Sequence, residues 1–280
     1  EITTAIRQLH FPNEIDDAET ARRRLAFDEF VALQNTIRDR KAKLQQNTQS
    51  RDCTGNGSLM NTFTDSLGFE MTGAQQRVIA EIKENLEGRL PMRRLLQGDV
   101  GSGKTAVAAS AILMTLESGY NTLLMAPTEI LAEQHGQTFR QWLEPLGIAV
   151  KLQTGSRHEA NNEPSLFESD DQPTLVVGTH ALFQSGFQLK NIGLVVIDEQ
   201  HKFGVEQRNE LLRKGDYPHL LVMTATPIPR TLGLTLYGDL DISTINEIPA
   251  GRGSIRTHAR TPDRWPKIID FINTQLNETR

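Results

Sequence analysis

One run of eight residues, Gly98-Asp99-Val100-Gly101-Ser102-Gly103-Lys104-Thr105, matches the pattern G-x-x-x-x-G-K-[ST]. It follows the apolar run RRLLQ and opens the helix-like run AVAASAILMTL, which is the setting a phosphate-binding loop requires. Glycines there let the backbone turn tightly around a phosphate chain and aim successive N–H groups at it. The helix N-terminus adds a favourable dipole, Lys104 offers a point charge to the β- and γ-phosphates, and the Thr105 hydroxyl is a ligand for Mg²⁺. These residue types at this spacing bind a nucleoside triphosphate.

Three further groups suit the same chemistry. Val195-Val196-Ile197-Asp198-Glu199-Gln200-His201 is an apolar strand ending in two carboxylates. Asp198 is suited to hold Mg²⁺ through its water shell, and Glu199 to orient and polarise an attacking water. Paired acids after a buried strand also read as a helix N-cap. Met223-Thr224-Ala225-Thr226-Pro227 ends another apolar strand. Its two hydroxyls either bond to the Asp198–His201 segment or cap the following helix. Gln75, in Met71-Thr72-Gly73-Ala74-Gln75, is either a reader of the adenine edge or an ordinary surface glutamine.

The elements that must position these groups are visible as short apolar runs alternating with helical patterns. The runs are RRLLQ (93–97), TLLMA (122–126), IAVKL (148–152), TLVVG (174–178), GLVVID (193–198) and LLVMTA (220–225). Helical patterns occupy 104–117, 129–143 and 206–213. This alternation predicts an α/β domain with a mostly parallel, doubly wound sheet, whose ligands bind beyond the strand C-termini. Residues 17–44 predict a charged helix with Leu25, Phe30, Leu33 and Ile37 along one face. Its Arg22, Arg23, Arg24, Arg38, Arg40, Lys41 and Lys43 form either a solvated face or a surface near a nucleic-acid backbone. Residues 45–66 are polar and predict a mobile connector. The expected domains are therefore 1–66, a helical segment and connector; 67–250, the nucleotide-binding domain; and 251–280, the start of something cut off.

Composition sets limits. The chain has 280 residues, 38% apolar and 23% charged, so a packed core is expected and wholesale disorder is not. A net charge of −5 excludes a protein that coats nucleic acid by bulk charge, though not a local basic groove. Cys53, the single cysteine, cannot form an internal disulfide and points to a reducing compartment such as the cytosol. No apolar run approaches the ~20 residues of a membrane span, and the N-terminus shows no signal-peptide pattern. A chain that opens on Glu1 reads as a soluble fragment.

Together these motifs resemble the first RecA-like lobe of a superfamily-two helicase. GDVGSGKT, APTEILAEQH (126–135), GTHAL (178–182), DEQHKFGVEQR (198–208) and MTATPIPRTL (223–232) resemble the RecG family of bacterial ATP-dependent DNA helicases. LHFPNEIDDAETARRRLAFDEF (9–30) resembles the helical segment that precedes the helicase core in that family. The transcription-repair coupling translocases share part of this pattern, but DEQH at 198–201 and the segment at 9–30 favour RecG. The resemblance implies ATP and Mg²⁺ as cofactors, with Gly98, Gly101, Ser102, Gly103, Lys104 and Thr105 as the phosphate loop. Thr72 and Gln75 would contact the adenine side, with Phe69 a packing partner. Asp198 and Glu199 would serve Mg²⁺ and water, while His201, Thr224 and Thr226 would couple nucleotide state to DNA. Pro127-Thr128-Glu129 and Gly178-Thr179-His180 match elements that track the DNA backbone, and Arg208 and Arg230 are candidate contacts for DNA or a second lobe.

The resemblance also implies partners: branched or forked DNA, a second RecA-like lobe with an arginine finger, an N-terminal wedge domain and, by analogy, a single-stranded DNA-binding protein. No membrane partner is expected, and the expected location is the bacterial cytoplasm, at the nucleoid. Neither the second lobe nor the wedge is recognisable here, so the fragment is expected to bind nucleotide, hydrolyse it poorly and unwind nothing. A non-catalytic nucleotide-responsive binding module would share the loop without needing Glu199. A metabolic kinase would need an acceptor pocket and lid that these motifs do not supply.

Overall fold

The computed structural model describes residues 2–47 (side chains to Asp39), 51–88, 90–156, 172–183, 187, 189–199, 217–226, 240–247, 257 and 259–278. They divide into a unit Glu1–Pro249 and a second, Ala250–Arg280. The expected helix at 206–213 lies outside the described residues.

In the first unit, α1 (Ile2–His10) and α2 (Ile15–Asn47) form a helical hairpin. Their close approach is allowed by two small residues, Ala5 and Ala21, both buried. Leu25, Leu33 and Ile37 are half-buried on α2 as the spacing predicts, whereas Phe30 is exposed. Arg23 and Arg24 pair with Glu19 and Asp28 one turn away.

The remainder is a layered α/β fold. The strands β1 (Arg93–Gly98), β2 (Asn121–Met125), β3 (Val150–Gln153), β4 (Leu175–Gly178), β5 (Ile192–Asp198), β6 (His219–Thr224) and β7 (Asp241–Ile245) form one sheet. Its order is β3-β4-β2-β5-β6-β1-β7, and every described pairing is parallel. Parallel strands need crossovers, which bury both faces and explain the unbroken apolar runs. Alternation divides each strand between two cores: Leu96, Leu124, Val196 and Leu221 face one, and Leu95, Leu123, Val195 and Leu220 the other. The first core is roofed by α4 (Gly73–Glu87), α5 (Lys104–Glu117) and α6 (Glu129–Leu143). Helix α5 is buried at every position from 106 to 116, as its apolar circumference requires.

Two further features differ from the sequence expectation. Strand β7 was not anticipated because its pattern is inverted: Ile242 points outward and Ser243 inward. Ser243 is buried because it joins a polar clasp in which Arg94 donates to Asn85, Glu81 and Ser243. The second difference is the expected connector. Residues 58–66 form helix α3 (Ser58–Ser66), and 51–57 lie as a strap across the N-terminal edge of the sheet. Cys53 and Phe63 are fully buried in the first core, and Phe63 meets Trp142 of α6 edge-on at 5.6 Å.

The strap is tied by backbone donors rather than by apolar periodicity. Glu117, at the end of α5, accepts from Gly57 N–H (2.7 Å) and Leu59 N–H (3.0 Å). Its carboxylate therefore caps α3, whose own N-cap Gly57 offers no side chain. Burial acts to raise the Glu117 pKa, but these N–H donors outweigh it and hold the pKa below the ordinary value. Farther back, Arg51 donates to Ile192 O and stacks over Tyr120. His219 accepts from Met92 N–H at Nδ1 (2.9 Å), so Nε2 carries the hydrogen that bonds to Arg51 O (2.8 Å).

Three outcomes follow from the strap. Burial pushes the Cys53 thiol up to about 12, so the native chain should resist thiol-specific labelling at neutral pH. Glu117→Ala removes both bonds to α3, should destabilise by about 1–3 kcal/mol, and should speed labelling of Cys53 in the undenatured protein. Burial also lowers the His219 pKa from 6.5. The unfolded chain then binds the extra proton first, so stability is full above pH 6.5 and falls as the pH drops below it. Urea midpoints measured down through that window should show this loss in the parent and a smaller one in His219→Asn.

The second unit contains a 3₁₀ turn, Pro262–Arg264, leading into α7 (Trp265–Glu278). Its Trp265, Ile269, Phe271, Ile272 and Leu276 are exposed.

Candidate nucleotide site and the adjoining loop edge

Parallel pairing in the order β5-β6-β1 brings three sequence-distant segments to one edge. Gly98 ends β1, Thr224 ends β6 opposite Gln97, and Asp198 ends β5 opposite Met223. The phosphate loop, the two threonines and the two carboxylates are thus neighbours by strand order alone.

The loop itself is closed. Gly101 and Gly103 have φ of 78° and 84°, values that side chains rarely adopt. A Cβ on Gly103 would also strike the Gln75 amide. Lys104 Nζ turns back to donate to Gly98 O (2.8 Å) and Asp99 O (3.0 Å). Burial draws its pKa below the ordinary value, while Asp198, Glu199 and Asp99 act to raise it. The ammonium therefore sits within the field of the expected catalytic acids. Ser102 is buried with its hydroxyl unpartnered, and Thr105 is half-buried at the start of α5.

Gln75 is neither a surface residue nor a free reader. It is fully buried; its Oε1 accepts from Thr72 N–H (2.8 Å), and its Nε2 donates to Ser102 O (2.8 Å). Thr72 caps α4 and accepts from Gln75 N–H, completing a capping box. The amide thus fastens α4 to the phosphate loop. Phe69 is 44% exposed and lines a cavity of about 670 Å³ with Met60, Leu67, Glu70, Met71 and Ile79.

Glu199 has a φ of 51°, unusual for a non-glycine residue. The strain is held by two bonds: its N–H donates to Met223 O (2.9 Å), and Oε1 accepts from Ala225 N–H (3.0 Å). Contact between the carboxylates and the threonine segment is therefore made by the Ala225 backbone, which the sequence did not single out. The hydroxyls of Thr224 and Thr226 bond to each other at 2.9 Å. His201, Arg208 and Arg230 lie outside the described residues, as does Pro227.

The other half of the same edge holds the loops after β2, β3 and β4. Ala126 N–H donates to Gly178 O, and Thr179 N–H to Gln153 O, stitching these loops together. A Cβ on Gly178 would strike Gln153 O, so only glycine fits there. Thr128 caps α6 by accepting from Leu131 N–H. Pro127 is half-buried, Thr128 and His180 are exposed, and Thr179 is buried. Glu129 accepts from Ser156 Oγ, which in turn bonds to Thr154. Thr154-Gly155-Ser156 thus joins 127–129 at this edge; small polar residues directly after a strand were the signal available for it.

The profile of the DEAD/DEAH box helicases matches residues 72–234, more than half of the chain. The chain belongs to the DEAD/DEAH box helicase family. Curated family members named ATP-dependent DNA helicase RecG are similar along nearly all of it. The Synechocystis protein is 49% identical over 100% of this chain and 34% of its own length. Those of Acidithiobacillus ferridurans and Bacillus subtilis are 48% and 43% identical, over 92% and 99% of this chain. The chain spans 38% and 41% of their respective lengths. A solved structure of RecG bound to a three-way DNA junction superimposes with a TM-score of 0.80 at 38% identity, covering 98% of this chain and 37% of that one. The RecA-like architecture expected from the motifs is the architecture observed.

A chemical test separates the role of Gln75 as a fastener from a role in ligand reading alone. Gln75→Glu replaces the donor facing Ser102 O with an acceptor, and should lower the stability of the nucleotide-free chain by about 1–3 kcal/mol. Gln75→Met should cost less. Thermal unfolding without nucleotide gives the comparison.

Proposed function

We propose that this chain is the ATP-binding lobe of a RecG-type DNA helicase, coupling ATP hydrolysis to the remodelling of forked or branched DNA. The observation that carries the reading is the meeting of the phosphate loop, Asp198, Glu199 and the Thr224–Thr226 segment on three adjacent parallel strands. In this reading the lobe expected at 67–250 begins earlier, at the strap near residue 51, and 251–280 begins a second lobe.

The residues present fit Mg-ATP. The cradle excludes a Cβ at Gly103, and the buried Ser102 hydroxyl lacks a partner. Thr105 and Asp198 supply the hard oxygen donors that Mg²⁺ prefers when it is shared with phosphates. Mg²⁺ would neutralise charge on the β- and γ-phosphates. Lys104 exchanges its two carbonyl acceptors for phosphate oxygens. Glu199, with Oε1 held by Ala225 N–H, would orient the attacking water. The bond to Ala225 makes the position of Glu199 sensitive to the segment that carries Thr224 and Thr226, with His201 a further coupling residue.

On the other half of the edge, Pro127-Thr128-Glu129 and Gly178-Thr179-His180 would follow the DNA backbone. Hydroxyls and loop N–H groups suit that task because they grip phosphates without reading bases. Arg208 and Arg230 would serve DNA or the second lobe, whose arginine finger is worth about 10³–10⁵ in turnover where such fingers act. A wedge domain and a single-stranded DNA-binding protein complete the proposed partners, in the cytoplasm at the nucleoid.

Nucleotide affinity and Mg-ATP turnover, with and without a three-way DNA junction, test this reading. The chain should bind ATP with turnover near background. Lys104→Ala should weaken binding by at least about 10-fold, in line with the loss of a charge-assisted contact. Glu199→Gln should leave binding within about 3-fold while removing the residual turnover. ATP binding that survives Lys104→Ala unchanged sinks the assignment.

A further inference from the structure

His135 closes the run 126–135 and has been given no role so far, yet it touches one of the site groups. It lies on α6, two turns beyond the capping Thr128. Its Nε2 is 2.8 Å from Asp198 Oδ2, and the two side chains are only 14% and 15% exposed. The opposite side of the contact is fixed by packing. The imidazole tilts against Phe139 with centroids 6.4 Å apart, and Phe139 is itself fully buried and edge-on to Trp142 at 5.8 Å. The ring therefore has little freedom to turn away from the carboxylate.

A carboxylate that serves a metal needs a defined rotamer, because torsion about its terminal bond moves both oxygens and is otherwise soft. An ionised carboxylate only accepts hydrogen bonds, so Nε2 is the donor in this pair. The bond occupies Oδ2 and leaves Oδ1 for the water shell of a cation. Outer partners of metal ligands act in this way, and their loss typically costs about 10–100-fold in metal affinity or activity.

We propose that His135 is a positioning residue for Asp198, setting the carboxylate that receives Mg²⁺ with the nucleotide. The proposal rests on the reading of Asp198 as the residue serving Mg²⁺. His135 touches neither phosphate nor water in this role and acts only through Asp198.

The test is the Mg²⁺ concentration that half-saturates binding of a fluorescent ATP analogue by this chain, measured beside binding in EDTA. His135→Phe keeps the ring against Phe139 but removes the donor, and should raise the Mg²⁺ requirement about 10-fold or more. His135→Asn, whose amide falls short of Asp198, should behave alike and serves if the phenylalanine variant does not fold. His135→Gln, whose amide reaches the Nε2 position, should stay within about 3-fold of the parent. Affinity in EDTA should be the same for all four proteins, a pattern that a merely structural loss would not give. An unchanged Mg²⁺ requirement in the phenylalanine and asparagine variants overturns the proposal. If Asp198→Asn also leaves the requirement unchanged, the reading of Asp198 fails, and the proposal with it; a changed requirement there confines the failure to His135.

Discussion

Backbone hydrogen bonds between β6 and its two neighbours are what the candidate site depends on. They set Gln97 against Thr224 and Met223 against Asp198, so the phosphate loop and the acids end two strand spacings apart. At the usual spacing of parallel strands that is about 10 Å, a gap that a triphosphate can bridge. No side chain sets this distance. It follows from strand order, and the crossovers only have to keep the apolar strands buried on both faces.

Given that frame, the site is tuned by a few polar bonds between its segments. Gln75 fastens α4 to the loop, Ala225 N–H holds Glu199 in a strained backbone conformation, and His135 holds Asp198. Each bond joins a different element to the nucleotide edge: α4, the end of β6 and α6. Movement of any of them has a direct mechanical route to the groups around the phosphates. The bond from α6 is the longest in reach, because that helix starts at Thr128 among the loops on the other half of the edge.

Much of this was legible in the sequence because local pattern and tertiary role agree. The helices at 104–117 and 129–143 fall where the periodicity puts them, and six strands fall within two residues of their apolar runs. The phosphate loop was recognisable because its chemistry needs contiguous residues. What stayed hidden depends on partners far away in the chain. Segment 51–66 reads as polar connector because its cap is Glu117 and its aromatic contact is Trp142. Ser243 of β7 breaks the apolar alternation because Arg94 demands a buried acceptor. Gln75 looks like a surface glutamine until the loop that covers it is in place, and nothing near residue 135 announces a bond to residue 198.

The strap also bears on where this lobe can be cut. The family profile runs from 72 to 234, which leaves out Cys53, Phe63, the cap on Glu117 and the whole of β7. A domain excised at those borders would bare Leu86 and Trp142 along one flank and strip β1 of its outer neighbour. The exposed β1 edge would then offer unpaired backbone to another copy of itself. Sequence profiles mark the stretch that related proteins hold in common, and the physical border of a folding unit can lie outside it.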